Sequence, residues 1–247
     1  MRHDLSRIML LMLAALAAIG CMLALPARAS AATAARAVRE PAKPQPNIRG
    51  AVPGADVIID AGHGGIDGGT HYNGIRESHV NLAISRKLYL LLRSHGLRTI
   101  LNRTGDYALS DDNRWHPSRS RHFRDLTQRR GLSDEVDAGL LVSIHANWSS
   151  RQGTRGPLVI YRQGDSRGAV LAQLLQEQLN RQQAASRRPQ ATGQFYLLNV
   201  VRVPSAIVET GFLSNPEDRA MLTSQRGQTR IAQAIAAGIL AYCSLVP

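Results

Sequence analysis

Strand-like and helix-like segments alternate from residue 54 to the C-terminus, which predicts an α/β fold: a single domain on a mostly parallel or mixed twisted sheet with helices on both faces. Two further observations support it. The strand candidates are short, continuously apolar runs, as expected for strands covered on both sides. The helix candidates each carry one apolar stripe, as expected for helices lying on a sheet.

Val57-Ile58-Ile59-Asp60 reads as the first strand and runs into a glycine-rich loop, Gly62 to Gly69. A helix follows from Glu77 to Arg93, where Val80, Ala83, Ile84, Leu88, Leu91 and Leu92 share one face and Gly96 supplies the stop. Leu97 to Leu101 is a second strand. A polar and basic segment then contains a helix over Leu126 to Glu135, and Gly139 to Ile144 is a β-branched, apolar strand ending at His145. Leu158 to Tyr161 is a short strand, and Ala169 to Gln182 a helix with Val170, Leu171, Leu174, Leu175 and Leu179 turned inward. Ala206-Ile207-Val208 is the last strand and delivers Glu209. Asn215-Pro216-Glu217 has the form of an N-cap, a first-turn proline and a dipole-compensating acid, and Ile231 to Tyr242 closes the chain as a helix.

The residues ahead of this domain differ in kind. Arg2 and Arg7 precede an apolar run, Ile8 to Leu25, that ends at Pro26 with Ala27-Arg28-Ala29 behind it, the layout of a secretory signal peptide. An uncleaved membrane anchor is the second reading, since about 18 apolar residues just span a bilayer. Ile19-Gly20-Cys21 faintly suggests a lipidation site, against which Ala18 stands where leucine is usual. All three readings for residues 1–29 place the remainder outside the cytoplasmic membrane, with the membrane touched only through this segment. Residues 30–53, rich in Ala, Arg and Pro, read as a flexible linker, leaving 54–247 as the folded domain. Cys21 and Cys243 are the two cysteines of 247 residues, so a chain cut near Ala29 retains one thiol and any metal must be held by imidazole and carboxylate.

The net charge is +12, from 30 basic and 18 acidic residues, with a dense part from Arg114 to Arg130. Such a balance attracts phosphate-bearing wall polymers, or else is simply a solvated face that keeps a monomer soluble. A nucleic-acid partner is excluded by the lack of interleaved aromatics and of any recognisable module.

In open α/β sheets, sites form beyond the carboxyl ends of the strands. His63 follows the first strand, His145 ends a central one, Glu209 ends the last, and Glu77 opens the helix that runs back along the sheet. Two imidazoles and a carboxylate are a usual donor set for catalytic zinc, leaving one position for water, and a further glutamate beside that water completes a hydrolase. Each residue alone has a blander reading: His63 as a hydrogen-bonding turn residue, Glu77 as a first-turn acid, His145 and Glu209 as satisfied groups near the core. His71, His79, His95, His116 and His122 terminate no strand, and His79, two positions after Glu77, points to a different helix face. The loop from Gly62 to Gly68 imitates a dinucleotide-binding turn, but Gly68-Gly69-Thr70 breaks the helix such a turn must enter.

Four segments in this order resemble the zinc-dependent N-acetylmuramoyl-L-alanine amidases of cell division and sporulation. They are Ile58-Ile59-Asp60-Ala61-Gly62-His63-Gly64-Gly65; Gly74-Ile75-Arg76-Glu77 with Asn81-Leu82; Ser143-Ile144-His145-Ala146-Asn147; and Val208-Glu209-Thr210-Gly211-Phe212-Leu213-Ser214-Asn215. The resemblance spans Val57 to Tyr242. It implies one zinc ion per chain held by His63, Glu77 and His145, with Glu209 as catalytic acid/base. It also implies peptidoglycan as substrate, cut between N-acetylmuramic acid and L-alanine. Phe195-Tyr196-Leu197-Leu198, Val203-Pro204 and Asp125-Leu126-Thr127-Gln128-Arg129-Arg130 resemble the spore cortex amidases most, which implies a role in muramic δ-lactam formation and a place in the wall or the forespore intermembrane space. A general division or wall-turnover amidase and a non-catalytic wall-binding protein of the same fold are the alternatives. One strong helix pattern between His145 and Glu209 predicts no built-in regulatory plug; an activator protein is left open.

Overall fold

The computed structural model describes residues 54–111 and 118–246, so the leader, the linker and His116 lie outside the described residues. Among the described residues, no helix is long and apolar enough to cross a membrane.

The chain forms β1 (Ala55–Ala61), a hairpin of β2 (His71–Tyr72) and β3 (Ile75–Arg76), α1 (Glu77–Ser94), β4 (Thr99–Leu101), α2 (Arg121–Glu135), β5 (Ala138–Asn147), β6 (Leu158–Arg162) and α3 (Ser166–Gln183). These are followed by β7 (Gln190–Thr192), α4 (Tyr196–Val200), β8 (Ser205–Phe212), α5 (Pro216–Thr223) and α6 (Gln225–Leu245). Six strands make one sheet in the order β4-β1-β5-β8-β6-β7. The first four run parallel to their neighbours; β6 runs antiparallel to β8 and carries β7 parallel beside it. The sheet is therefore mixed. The central strands bring β1, β5 and β8 side by side with their carboxyl ends at one edge.

Period-two alternation in these strands divides the core in two. Val57, Ile59, Leu140, Val142, Ile144 and Val208 pack with the stripes of α1 (Val80, Ile84, Leu88, Leu92), α3 (Leu171, Leu175, Leu179) and α6 (Ile231, Ile235, Ile239). Ile58 and Leu141 face the other way, onto Leu132 and Val136 at the end of α2 and onto Leu197 and Val201. Each fully buried Leu or Ile contributes about 1.5–3 kcal/mol, so both helical layers are held by burial rather than by helix propensity.

The helices begin earlier than their apolar stripes do, because capping is polar. Ser120 caps α2 through Phe123 N (3.2 Å) and Asp165 caps α3 through Gly168 N (3.0 Å), while Asn215 caps α5 through the amides of Glu217 and Asp218. Val170, expected to face inward, is instead 44% exposed, since the buried stripe of α3 steps by four through Leu171, Leu175 and Leu179. The strands β5 and β8 continue past His145 and Glu209, with a register irregularity between His145 and Asn147.

Candidate metal centre

His63 sits in the loop after β1 with φ +60°, a left-handed conformation that a non-glycine residue holds only when its surroundings impose it. Gly62 and Gly69 make the ring's place. A Cβ on Gly62 would lie 2.4 Å from the His145 ring, and one on Gly69 (φ +63°) would lie 2.6 Å from both the His63 ring and Glu77 Oε2. The β2–β3 hairpin turns at Asn73 and Gly74, both at positive φ, and delivers Glu77 as the first residue of α1. Glu77 is 3% exposed. Its Oε2 accepts from Thr70 N at 2.8 Å, and its Oε1 from Ala146 N at 3.1 Å and Asn81 Nδ2 at 3.3 Å.

The structure brings together the three residues expected to hold metal. His145 Nδ1 donates to Glu77 Oε1 at 3.0 Å, His63 Nε2 lies 3.2 Å from the same oxygen, and the imidazoles meet edge to face with centroids 4.9 Å apart. One donor atom from each lies within 4.8 Å of the others, a separation that one divalent ion can span. Glu209 is placed beside them: β8 pairs with β5 so that Glu209 is the register partner of His145. Glu209 Oε2 is buried and has no hydrogen-bond partner among the described residues.

Electrostatics follow from this packing. Burial opposes a charge on His63, but hydrogen bonds from both ring nitrogens to Asp67 and Glu77 outweigh it and raise the imidazole to about 10. Asp67, accepting from His63 Nδ1 at 2.9 Å, falls to about 2, mainly through that bond. Burial pushes against ionisation of Glu77, yet the hydrogen bonds from His145 and His63 hold it well below the usual carboxylate range. Glu209 has burial without such bonds; its carboxyl rises to about 7, with Glu77 adding to the rise and the two imidazoles opposing it.

The four residues open into a cleft of about 450 Å³ whose walls include Asp67, His122, Leu126, Phe195, Tyr196 and Leu197. His122, set aside in the sequence for ending no strand, lies on this wall. His79 instead meets Asp106 at 2.9 Å, on a different helix face from Glu77 as expected. Sequence reasoning missed Asp67, the outer partner that orients His63 and fixes its tautomer. Its position four residues after His63 was the available signal. Reasoning also missed Arg129, which belongs to the basic segment but is only 4% exposed and paired with Asp60 and Asp125.

A mixed α/β sheet that gathers two imidazoles and a carboxylate at its carboxyl edge, beside a further glutamate, is an arrangement that could hold one divalent ion next to a proton carrier. The chain belongs to the N-acetylmuramoyl-L-alanine amidase family, which it matches over residues 57–241. It is 32% identical over 190 residues to the germination-specific N-acetylmuramoyl-L-alanine amidase of Bacillus subtilis, covering 76% of this chain and 80% of that one. It is similar to the CwlD amidase from Clostridioides difficile, solved in complex with the GerS lipoprotein (33% identity, TM-score 0.73, 77% of this chain and 99% of that one). The catalytic domain of CwlV, an N-acetylmuramoyl-L-alanine amidase from Bacillus (Paenibacillus) polymyxa, shares the fold at 28% identity and a TM-score of 0.64, over 76% of this chain and 97% of that one.

Proposed function

We propose that the protein hydrolyses the amide between N-acetylmuramic acid and L-alanine in peptidoglycan, with His63, Glu77 and His145 holding one zinc ion and Glu209 as general acid/base. The observation that carries this reading is the convergence of the three donors beside Glu209, whose Oε2 has no hydrogen-bond partner among the described residues, in an open cleft. The donors fit zinc by type and number.

When bound, zinc supplies Lewis acidity, activating water and polarising the scissile carbonyl. The chain's own residues do the rest. Asp67 fixes the His63 ring through Nδ1, so that Nε2 faces the centre. Thr70 N, Ala146 N and Asn81 keep the Glu77 carboxylate aimed at both imidazoles. Glu209 takes a proton from the attacking water at Oε2 and passes it to the leaving nitrogen of L-alanine. The C–N bond breaks, the lactyl carbon gains the water oxygen, and the peptide leaves with a free amino terminus.

The name of the Bacillus subtilis relative supports a role in the spore cortex, where stem removal precedes muramic δ-lactam formation, and the Arg-flanked apolar leader supports export to act there. Digestion of purified cortex and vegetative peptidoglycan, with and without a chelator, tests all of this. New L-alanine amino termini that vanish with chelator are expected, and retention on peptidoglycan without new termini would indicate a wall-binding protein instead. Preference for vegetative wall would remove the cortex role and leave the amidase.

A further inference from the structure

From the last residue of β1 onward, three successive carbonyls are taken up by two buried guanidinium groups. Arg129 Nη1 donates to Ala61 O at 3.1 Å and its Nη2 to His63 O at 3.0 Å. Arg103 Nε donates to Ala61 O at 3.0 Å, and its Nη2 to Gly62 O at 3.0 Å and Ser78 O at 2.8 Å, which ties the same loop to the residue after Glu77. Arg129 is itself fixed on its other edges: its Nε donates to Asp125 at 2.6 Å and its Nη1 to Asp60, whose second oxygen accepts from Ser143 on β5. Asp60, Arg103, Asp125 and Arg129 are all buried, and their four formal charges cancel. The loop is thus gripped without adding net charge beside a place for a divalent cation, whereas a lone buried guanidinium there would repel one.

This grip bears on His63 in particular. Its left-handed backbone is the one that points the ring at Glu77 and His145, and such a conformation relaxes when nothing enforces it. We propose that Arg129, anchored by Asp60 and Asp125, is a positioning residue for the metal centre that holds the His63 backbone in its ring-presenting conformation. The proposal rests on the reading of His63, Glu77 and His145 as zinc ligands. It gives one arginine of the basic segment a specific task.

The test uses the full chain and zinc alone: affinity by competition with a chromophoric chelator, and hydrogen exchange of residues 61–65 in the metal-free protein. Arg129→Lys keeps the charge, but an ammonium cannot span two carbonyls and two carboxylates as a planar fork does. Zinc affinity is expected to fall by about 10–100-fold, as for other losses of support behind a metal ligand, with faster exchange in the loop and an unchanged far-UV spectrum. Asp125→Asn should show a smaller loss in the same direction, and it decides the matter if Arg129→Lys does not fold. Leu179→Ala, a core truncation on α3, should lower thermal stability and leave zinc affinity as it was. Parental affinity in folded Arg129→Lys, or in Asp125→Asn should the lysine variant not fold, overturns the inference. An equal affinity loss in Leu179→Ala also overturns it, by tracing the effect to global stability. A parent that binds no zinc removes the ligand reading and this inference together, which separates that failure from the others.

Discussion

A carboxyl oxygen buried without a hydrogen-bond partner disfavours the charged form of its group, and among the described residues Glu209 Oε2 is such an oxygen. Glu209→Gln keeps the shape and removes the proton carrier, so it should bind zinc as the parent does and lose about 10²–10⁴-fold in turnover. Parental turnover in that variant would end the acid/base role. The same shift makes a stability prediction with a definite sign. Its folded value of about 7 lies above the ordinary 4.5, so between those pH values the folded chain keeps a proton that the unfolded chain has lost, and stability falls as pH rises through that window. In metal-free protein, Glu209→Gln should therefore melt higher than the parent at pH 8, by up to about 3 kcal/mol, and near the parent at pH 4.5. Equal differences at both pH values would show that burial is not the cause. His63 gives a second readout. Raised to about 10, it carries a proton at pH 7 that a metal ligand must give up, so zinc binding should release about one proton, measured as buffer-dependent heats in calorimetry. His63, Glu77, His145 and Glu209 were legible because each follows or opens an apolar element. Arg129 was not, because a buried guanidinium and a solvated one look alike within a run of arginines.

At the scale of the element, the site depends on the loop between β1 and α1 more than on the strands. Gly69 is the sharpest case: a methyl group there meets a positive φ and two proposed ligands at once. Gly69→Ala should weaken zinc binding by more than tenfold while the far-UV spectrum stays parental, whereas Gly74→Ala, at φ +76° with open space around it, should cost about 1 kcal/mol of stability and no metal affinity. Similar zinc affinities in the two variants would contradict the crowding argument. The hairpin that delivers Glu77 was readable from Asn73-Gly74, the dipeptide that favours a two-residue hairpin turn, but its strands are only two residues each and present no periodicity. The same brevity hid β7, with three residues, and α4, with five. What α4 lacks in length it supplies in position, because Phe195 and Tyr196 wall the cleft and Phe195 is 40% exposed. Truncation of Phe195 to alanine should raise KM for peptidoglycan with kcat little changed; an unchanged KM would leave the ring without a part in substrate binding.

For the molecule as a whole, the alternation of apolar runs fixed the layering, since a strand buried on both faces needs helices above and below it. Strand order and the reversal of β6 were not legible, because they depend on which edges meet and not on any pattern within one segment. Charge is the other property of the whole, and the structure sorts it. Arg129 is buried and neutralised by Asp60 and Asp125, whereas Arg121 on the same helix is exposed and free to act at a distance. With 23 basic residues against 16 acidic ones in residues 54–247, the surface should draw the enzyme to walls carrying anionic polymers. Fields between exposed charges decay over about 10 Å at 0.1 M salt and about 3 Å at 1 M, whereas chemistry inside the cleft is screened far less. Adsorption to intact walls should therefore weaken steeply as salt rises, and turnover of a soluble muramoyl-peptide should change little over the same range. Walls stripped of their phosphate polymers should lose most of the salt-sensitive adsorption. Adsorption that persists unchanged in 1 M salt or on stripped walls would mean that the charge serves solubility alone.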